Sequence, residues 1–134
     1  MSLEAGAELP TLRATPDRLL TVRYAGASGD YDPVHVDEAF ATAVGLPGRV
    51  LHGLFSMGLV ARAQTQAAGG PGSLKRLAVV FGPPGVPERE ITVTSTVVGL
   101  RDGRAVVHAV AEQDGTAIIA HAEAELAPED ETRP

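Results

Sequence analysis

Two side chains that can exchange protons, the carboxylate of Asp30 and the imidazole of His35, lie five residues apart in a turn-rich segment. Gly29 permits a tight bend and Pro33 fixes its own φ, so the two side chains can converge on one point. A carboxylate and an imidazole aimed at one water molecule form a general acid/base pair. On spacing alone a structural role stays open, because aspartate is common in turns and single histidines are often structural.

The wider segment resembles the hydratase motif of the MaoC-like family, which includes (R)-specific enoyl-CoA hydratases and (3R)-hydroxyacyl-ACP dehydratases. The family pattern is roughly Ser-Gly-Asp-x-Asn-Pro-aliphatic-His, followed further on by a small residue. The matching residues are Ser28, Gly29, Asp30, Pro33, Val34, His35 and Ala39. Residues 50–55 resemble the block that opens the family's central helix, and the strand at 77–81 with its proline-rich loop matches more loosely. The resemblance covers about residues 10–126.

The resemblance implies that Asp30 and His35 activate a water that adds across a trans-2-enoyl thioester, or that leaves in the reverse reaction. The carrier would be CoA or acyl carrier protein. The backbone N–H of Gly53 is the expected donor to the thioester oxygen, because the first N–H groups of a helix are free and the helix dipole favours negative charge there. The residues expected to brace the catalytic loop are Ser28, Gly29, Asp32 and Pro33.

Position 32 departs from the family pattern, since it is Asp where the family usually has Asn. Asp keeps the acceptor oxygen but loses the amide donor, and it adds a charge beside Asp30. We expect this charge to shift the pH dependence of activity if the two carboxylates interact. The alternative is that Asp32 points to solvent, or caps the helix that starts near Val34.

An acyl chain requires an apolar tunnel next to the motif. The candidates for its lining are Leu46, Leu54, Phe55 and Met57. Ser56 either lines the site or bonds back to the backbone of its own helix. We interpret His52 as a structural hydrogen-bonding residue rather than a base. The strand histidines His108 and His121 fall on polar faces and receive no role.

The reaction implied by the resemblance requires no metal and no redox cofactor. The glycine-rich run at 69–72 lacks the Lys and Ser/Thr of a phosphate-binding loop, so we interpret it as a linker.

The candidate residues lie in a helical first half, whereas the second half is rich in strands, which favours an α+β fold. The first half predicts a short strand at 9–12 and a helix from Thr15 to about 27–29. A short helix capped by Asp37 follows, with Val36, Phe40 and Val44 on one stripe and a stop at Gly45. A longer helix is predicted from Gly53 to about Ala68; its first half is apolar all round, which is typical of a buried helix.

The second half predicts strands at 77–81, 91–101, 104–113 and 116–126, with hairpin turns at Asp102-Gly103 and Asp114-Gly115. In the last strand one face should be apolar, formed by Ile118, Ala120, Ala122, Ala124 and Leu126, while His121, Glu123 and Glu125 share the other. A curved antiparallel sheet around one buried helix is the hot-dog fold. We predict one such domain over 1–134, with flexible ends at 1–9 and 127–134.

Composition narrows the function classes. The chain has 134 residues, a net charge of −6 and no cysteine, so we expect no disulfide, no thiol nucleophile and no nucleic-acid partner. No apolar run is long enough to cross a membrane and the N-terminus does not resemble a signal peptide, so we expect a cytoplasmic protein.

We predict a homodimer, or a heterodimer with another hot-dog chain, since one sheet around one helix leaves edges uncovered. Two alternatives stay open: a non-catalytic subunit of a heterodimeric dehydratase, and a hot-dog thioesterase. The thioesterase hypothesis is disfavoured, because that chemistry usually requires a carboxylate on the central helix and residues 53–68 contain no acidic side chain.

Overall fold

The computed structural model describes residues 3–128; most of the expected acidic tail, from residue 129 onward, lies outside the described residues. Its centre is an antiparallel sheet with the strand order β1-β3-β4-β5-β2. The strands are β1 (Leu12–Ala14), β2 (Leu74–Phe81), β3 (Ile91–Arg101), β4 (Arg104–Gln113) and β5 (Thr116–Leu126). The two hairpin turns are confirmed, because Asp102-Gly103 and Asp114-Gly115 all have positive φ, between 51 and 76°, as tight two-residue turns require.

Four helices accompany the sheet. They are α1 (Leu20–Ser28), α2 (Pro33–Val36), α3 (Glu38–Ala43) and α4 (Gly53–Ala68), with a single 3-10 turn at Pro71–Ser73. Helix α4 lies across the sheet and forms the core with it, an aliphatic cluster that includes Val60, Ile91, Val93 and Ile119. This arrangement is the α+β hot-dog fold predicted from the sequence.

Helix α1 begins later than the sequence predicts. The Asp17 carboxylate accepts a hydrogen bond from the Leu19 N–H at 2.8 Å, which holds residues 17–19 in a turn, and the helix starts at Leu20. Its end is as predicted, at Gly29, whose φ of 80° places it in the left-handed region that favours glycine.

The predicted stripe of Val36, Phe40 and Val44 is wrong in one respect, because Val36 belongs to α2 and not to α3. Asp37 does cap α3, accepting from the Phe40 N–H at 3.1 Å. Phe40 and Val44 remain exposed in the single chain, at 42% and 55%.

The first half of α4 is not buried all round, contrary to the prediction. Leu54 is 64% exposed, and Gly53 and Gly58 are exposed as well. One flank of the central helix is therefore not covered by any of residues 3–128.

The expected flexible leader also needs correction in part. The first strand is at Leu12–Ala14 rather than 9–12. Gly6 and Leu9 nevertheless donate backbone hydrogen bonds to Val97 and Ser95 of β3, and Leu9 is 5% exposed. Residues 6–9 thus extend the sheet edge.

The predicted alternation in β5 fails at Ala120, which is exposed, whereas Ile119 is fully buried. Ala109 pairs with Ala122 and Ala111 pairs with Ile119, so β5 has one extra residue between these pairs. Such a bulge reverses the two faces of the strand on its far side. The alternation holds from His121 onward, although Glu125 on the polar face is only 7% exposed.

Candidate active site

Hydrogen bonds at the end of α1 position the backbone of Asp30. The Ser28 hydroxyl donates to the Tyr24 carbonyl at 2.7 Å and accepts from the Asp30 N–H at 3.1 Å. The Gly29 N–H closes the helix on the Ala25 carbonyl at 2.8 Å. These bonds hold the backbone of Asp30 directly after the left-handed turn at Gly29.

Asp32 acts as the N-cap of α2. Its Oδ1 accepts from the Val34 N–H at 3.1 Å, and Pro33 occupies the first turn, where its missing N–H costs nothing. The Asp32 N–H in turn donates to Oδ1 of Asp30 at 3.2 Å. The geometry therefore matches the capping alternative, and an Asn could make the same cap.

His35 projects from α2 and is fixed by the loop before α4. Its Nδ1 lies 2.8 Å from the Val50 carbonyl oxygen, which only accepts, so Nδ1 carries the hydrogen and Nε2 is left with a free lone pair. That Nε2 lies 3.8 Å from Oδ2 of Asp30. The gap is too long for a direct hydrogen bond but suits one water molecule that bonds to both atoms.

His52 is buried, at 3% exposure, and contacts both candidate catalytic residues. Its Nε2 donates to the backbone carbonyl of Asp30 at 3.1 Å. Its ring stacks on that of His35, with centroids 3.8 Å apart and planes 18° apart, and Tyr24 lies near it at a centroid distance of 4.6 Å. Its Nδ1 is buried and has no hydrogen-bond partner among the described residues. His52 therefore fits a structural role.

Asp30, His35 and His52 each offer a ligand atom, and these atoms lie within 4.8 Å of one another. A metal must lie close to the ring plane of each histidine that binds it, along the nitrogen lone pair. Two nearly parallel rings stacked 3.8 Å apart have no such point in common. The arrangement suits a shared water better than a shared metal ion.

A cavity of about 300 Å³ adjoins this cluster. Its lining residues are Tyr24, Ser28, Asp30, His52, Gly53, Leu54 and Phe81. Gly53 is the first residue of α4, so its N–H has no partner within the helix and is available at the cavity wall. The cavity thus places the Asp30 carboxylate and a free backbone donor around one space, and His35, 3.8 Å from that carboxylate, is not among the lining residues.

The structure separates the four residues expected to line the acyl tunnel. Leu54 lines the cavity, whereas Phe55 and Met57 pack against the aliphatic core and Leu46 is half-buried in the loop after α3. Successive helix residues point in different directions, and of these four candidates only Leu54 lines this cavity. Ser56 is buried and lines a second, smaller cavity.

Phe81, at the end of β2, is a lining residue that the sequence did not indicate. Only the tertiary fold brings this strand end to the start of α4; the one sequence sign is an aromatic residue that precedes a Gly-Pro-Pro loop.

His108 and His121 lie on the outer face of the sheet, away from the cavity, as predicted. Their rings contact each other, and His108 lies 3.4 Å from Glu123. The neighbouring Arg101 guanidinium donates to Glu123 at 2.9 Å and holds the pKa of that carboxyl below its usual value.

Fold and site together define a hot-dog protein with a carboxylate and an imidazole 3.8 Å apart beside a cavity of about 300 Å³. The family described as "MaoC like domain" matches residues 5–117. The chain therefore belongs to the MaoC-like hydratase/dehydratase family, a family of hydro-lyases.

The fatty acid synthase beta subunit aflB of Emericella nidulans is 35% identical over 109 residues, which cover 78% of this chain and 5% of that protein. The chain thus spans about a twentieth of the length of this relative. Enoyl-CoA hydratase 2, peroxisomal, of Arabidopsis thaliana is 32% identical over 91 residues, 66% of this chain and 28% of that protein. Among solved structures, the ChsH1-ChsH2 complex of Mycobacterium tuberculosis superposes with a TM-score of 0.83 at 29% identity, covering 93% of this chain and 98% of that one.

No helix among residues 3–128 is both long and apolar enough to cross a membrane.

Proposed function

We propose that this protein catalyses the reversible hydration of a trans-2-enoyl thioester to a (3R)-hydroxyacyl thioester. The observation that carries the proposal is the 3.8 Å gap between Oδ2 of Asp30 and Nε2 of His35, beside a cavity that the first N–H of α4 adjoins. The similarity to an enoyl-CoA hydratase and to a fatty acid synthase subunit supports a thioester substrate carried by CoA or acyl carrier protein.

In this mechanism one water donates hydrogen bonds to both Asp30 and His35. Its oxygen forms a bond to C3 of the enoyl thioester while one of its O–H bonds breaks and the pair takes up the proton. A proton is then delivered to C2, so the protein returns to its starting state. The reverse sequence expels water from the hydroxyacyl thioester.

The thioester oxygen gains negative charge as C3 is attacked and C2 becomes enolate-like. The Gly53 N–H would donate to this oxygen, and the partial positive charge at the start of the 16-residue helix α4 would act in the same direction. Removal of one such donor typically costs on the order of 10²–10³ in rate. No metal or redox cofactor enters this scheme.

The experiment is the hydration of crotonyl-CoA by the purified chain, followed by loss of the enoyl absorbance. We expect activity in the wild type and a fall on the order of 10²–10⁴ in His35→Ala and in Asp30→Asn. His121→Ala is the matched control, because His121 is an exposed histidine on the outer face. A folded dimeric wild type that hydrates neither CoA nor carrier-protein thioesters would contradict the proposal.

We further propose that the active form is a dimer. Leu54 and Phe81 line the cavity yet are exposed at 64% and 49%, the neighbouring Val80 is exposed at 58%, and the outer edge of β2 has no strand partner among the described residues. Such an apolar rim and open edge favour a second hot-dog chain. Sedimentation at micromolar concentration should give twice the chain mass of 13.8 kDa, and a monomer would refute the homodimer.

A heterodimeric dehydratase is the second candidate, and the likeness to one chain of a two-protein complex favours it. In that case this chain would be the catalytic member, because it carries both Asp30 and His35. The thioesterase alternative has less support, since α4 (Gly53–Ala68) contains no carboxylate.

A further inference from the structure

Two cavities meet at the side chain of Phe81. The larger, of about 300 Å³, is lined by the candidate catalytic residue Asp30; the smaller, of about 120 Å³, is lined by Ser56 of α4, and Phe81 belongs to the lining of both. Gly53 and Phe81 line both cavities, and no other residue does. The remaining lining residues of the smaller cavity are Leu51, Ser56, Gly82, Pro84, Gly85 and Ile118, of which Ser56 alone has a polar side chain.

The Phe81 ring closes against the start of α4. A Cβ built on Gly53 would lie 3.1 Å from Cε1 of Phe81 and 3.3 Å from Cδ1, so the ring lies directly over the backbone of Gly53. A side chain at position 53 would therefore push the ring away. The absence of one lets Phe81 act as a wall beside the N–H that we assign to the thioester oxygen.

The backbone next to this ring is held in place. The Gly82 N–H donates to the Ile118 carbonyl at 2.9 Å, and a Cβ at Gly82 would meet the Ala117 carbonyl oxygen at 2.1 Å. The ring itself is 49% exposed. Because this backbone is held in place, replacement of the Phe81 side chain should change the space between the two cavities without moving the strand.

We propose that Phe81 sets the length of the acyl chain that the site accepts, with the ring as the wall between the catalytic cavity and an apolar extension. The extension has room for roughly four groups of about 30 Å³ each, the size of a water molecule and close to that of a methylene. Loss of the ring adds space for about three or four carbons and should therefore shift selectivity toward longer enoyl thioesters. This inference rests on the proposed function.

The test is the ratio of kcat/KM for trans-2-decenoyl-CoA to kcat/KM for crotonyl-CoA. Each methylene buried in the extension is worth about a fourfold gain, so Phe81→Ala should raise the ratio at least tenfold. Phe81→Leu, which keeps most of the bulk, should give a smaller rise and serves if the alanine variant does not fold. Val98→Ala is the matched control, since Val98 is an exposed valine of β3 that lines neither cavity.

A ratio that stays within twofold of wild type in a folded Phe81 variant overturns the proposal, as does an equal rise in Val98→Ala. Calorimetric binding of saturated butyryl-CoA and decanoyl-CoA separates this failure from failure of the proposed function, because it requires no turnover. Even if the wild type hydrates nothing, the role of Phe81 can then still be tested. A rise in the affinity for decanoyl-CoA relative to butyryl-CoA in Phe81→Ala supports the proposal that the ring limits chain length, and an unchanged relative affinity refutes it.

Discussion

Replacement of His52 by phenylalanine should separate stability from activity. The change keeps an aromatic ring stacked on His35 at 3.8 Å and removes the hydrogen bond from Nε2 to the Asp30 carbonyl. A lost hydrogen bond costs about 1 kcal/mol, while removal of the unpaired buried Nδ1 relieves about 1–3 kcal/mol. The larger ring has space on the side of the 300 Å³ cavity that His52 lines. The free energy of unfolding should therefore stay within about 1 kcal/mol of wild type, or rise.

Activity should fall even where stability does not, because the hydrogen bond from His52 to the Asp30 carbonyl positions the backbone of Asp30. A displacement of about 1 Å in a catalytic group can cost on the order of 10² in rate, so we expect hydration of crotonyl-CoA to fall about 10- to 100-fold. His52→Gln places an amide N–H near the position of Nε2 and should recover part of this loss even though the ring stack is gone.

Urea unfolding and initial hydration rates of the same preparations measure the two effects. His108→Phe is the control, since it makes the same substitution on the outer face of the sheet. Activity of His52→Phe within twofold of wild type would show that Asp30 is positioned without His52. A loss of more than about 3 kcal/mol in unfolding free energy would show that removal of the unpaired Nδ1 does not offset the lost hydrogen bond.

Three further outcomes are expected. Asp32→Ala removes the cap of α2 and should cost about 1 kcal/mol in unfolding free energy and lower activity several-fold, whereas Asp32→Asn keeps the cap. The kcat/KM of Asp32→Asn should stay within about twofold of wild type, because an Asn can make the same cap; a larger fall would show that the carboxylate is required for more than capping. Because Arg101 lowers the pKa of Glu123 below its usual 4.5, the stabilisation from this pair is complete above that pH and is lost as the pH falls through the lower folded-state value. Glu123→Gln should therefore lose less stability than wild type in acid unfolding between about pH 5 and 3, and parallel curves would contradict this.

The sequence by itself determined the features that depend on short-range chemistry. The two Asp-Gly turns set the hairpins of β3, β4 and β5, because each requires two residues with positive φ that Asp and Gly tolerate. The spacing of Asp30 and His35 around Gly29 and Pro33 predicted a turn that brings them to one place, and the structure leaves them 3.8 Å apart.

The tertiary structure alone decided the features that depend on which distant segments meet. The bulge that exposes Ala120 arises from pairing with β4 and β2, so alternation within β5 could not reveal it. His52 contacts Asp30 across 22 residues and Phe81 covers Gly53 across a greater separation, and no local pattern encodes either contact. The exposure of Leu54 likewise depends on what covers α4, because a helix that is apolar all round shows only that burial is favourable and not which surface supplies it.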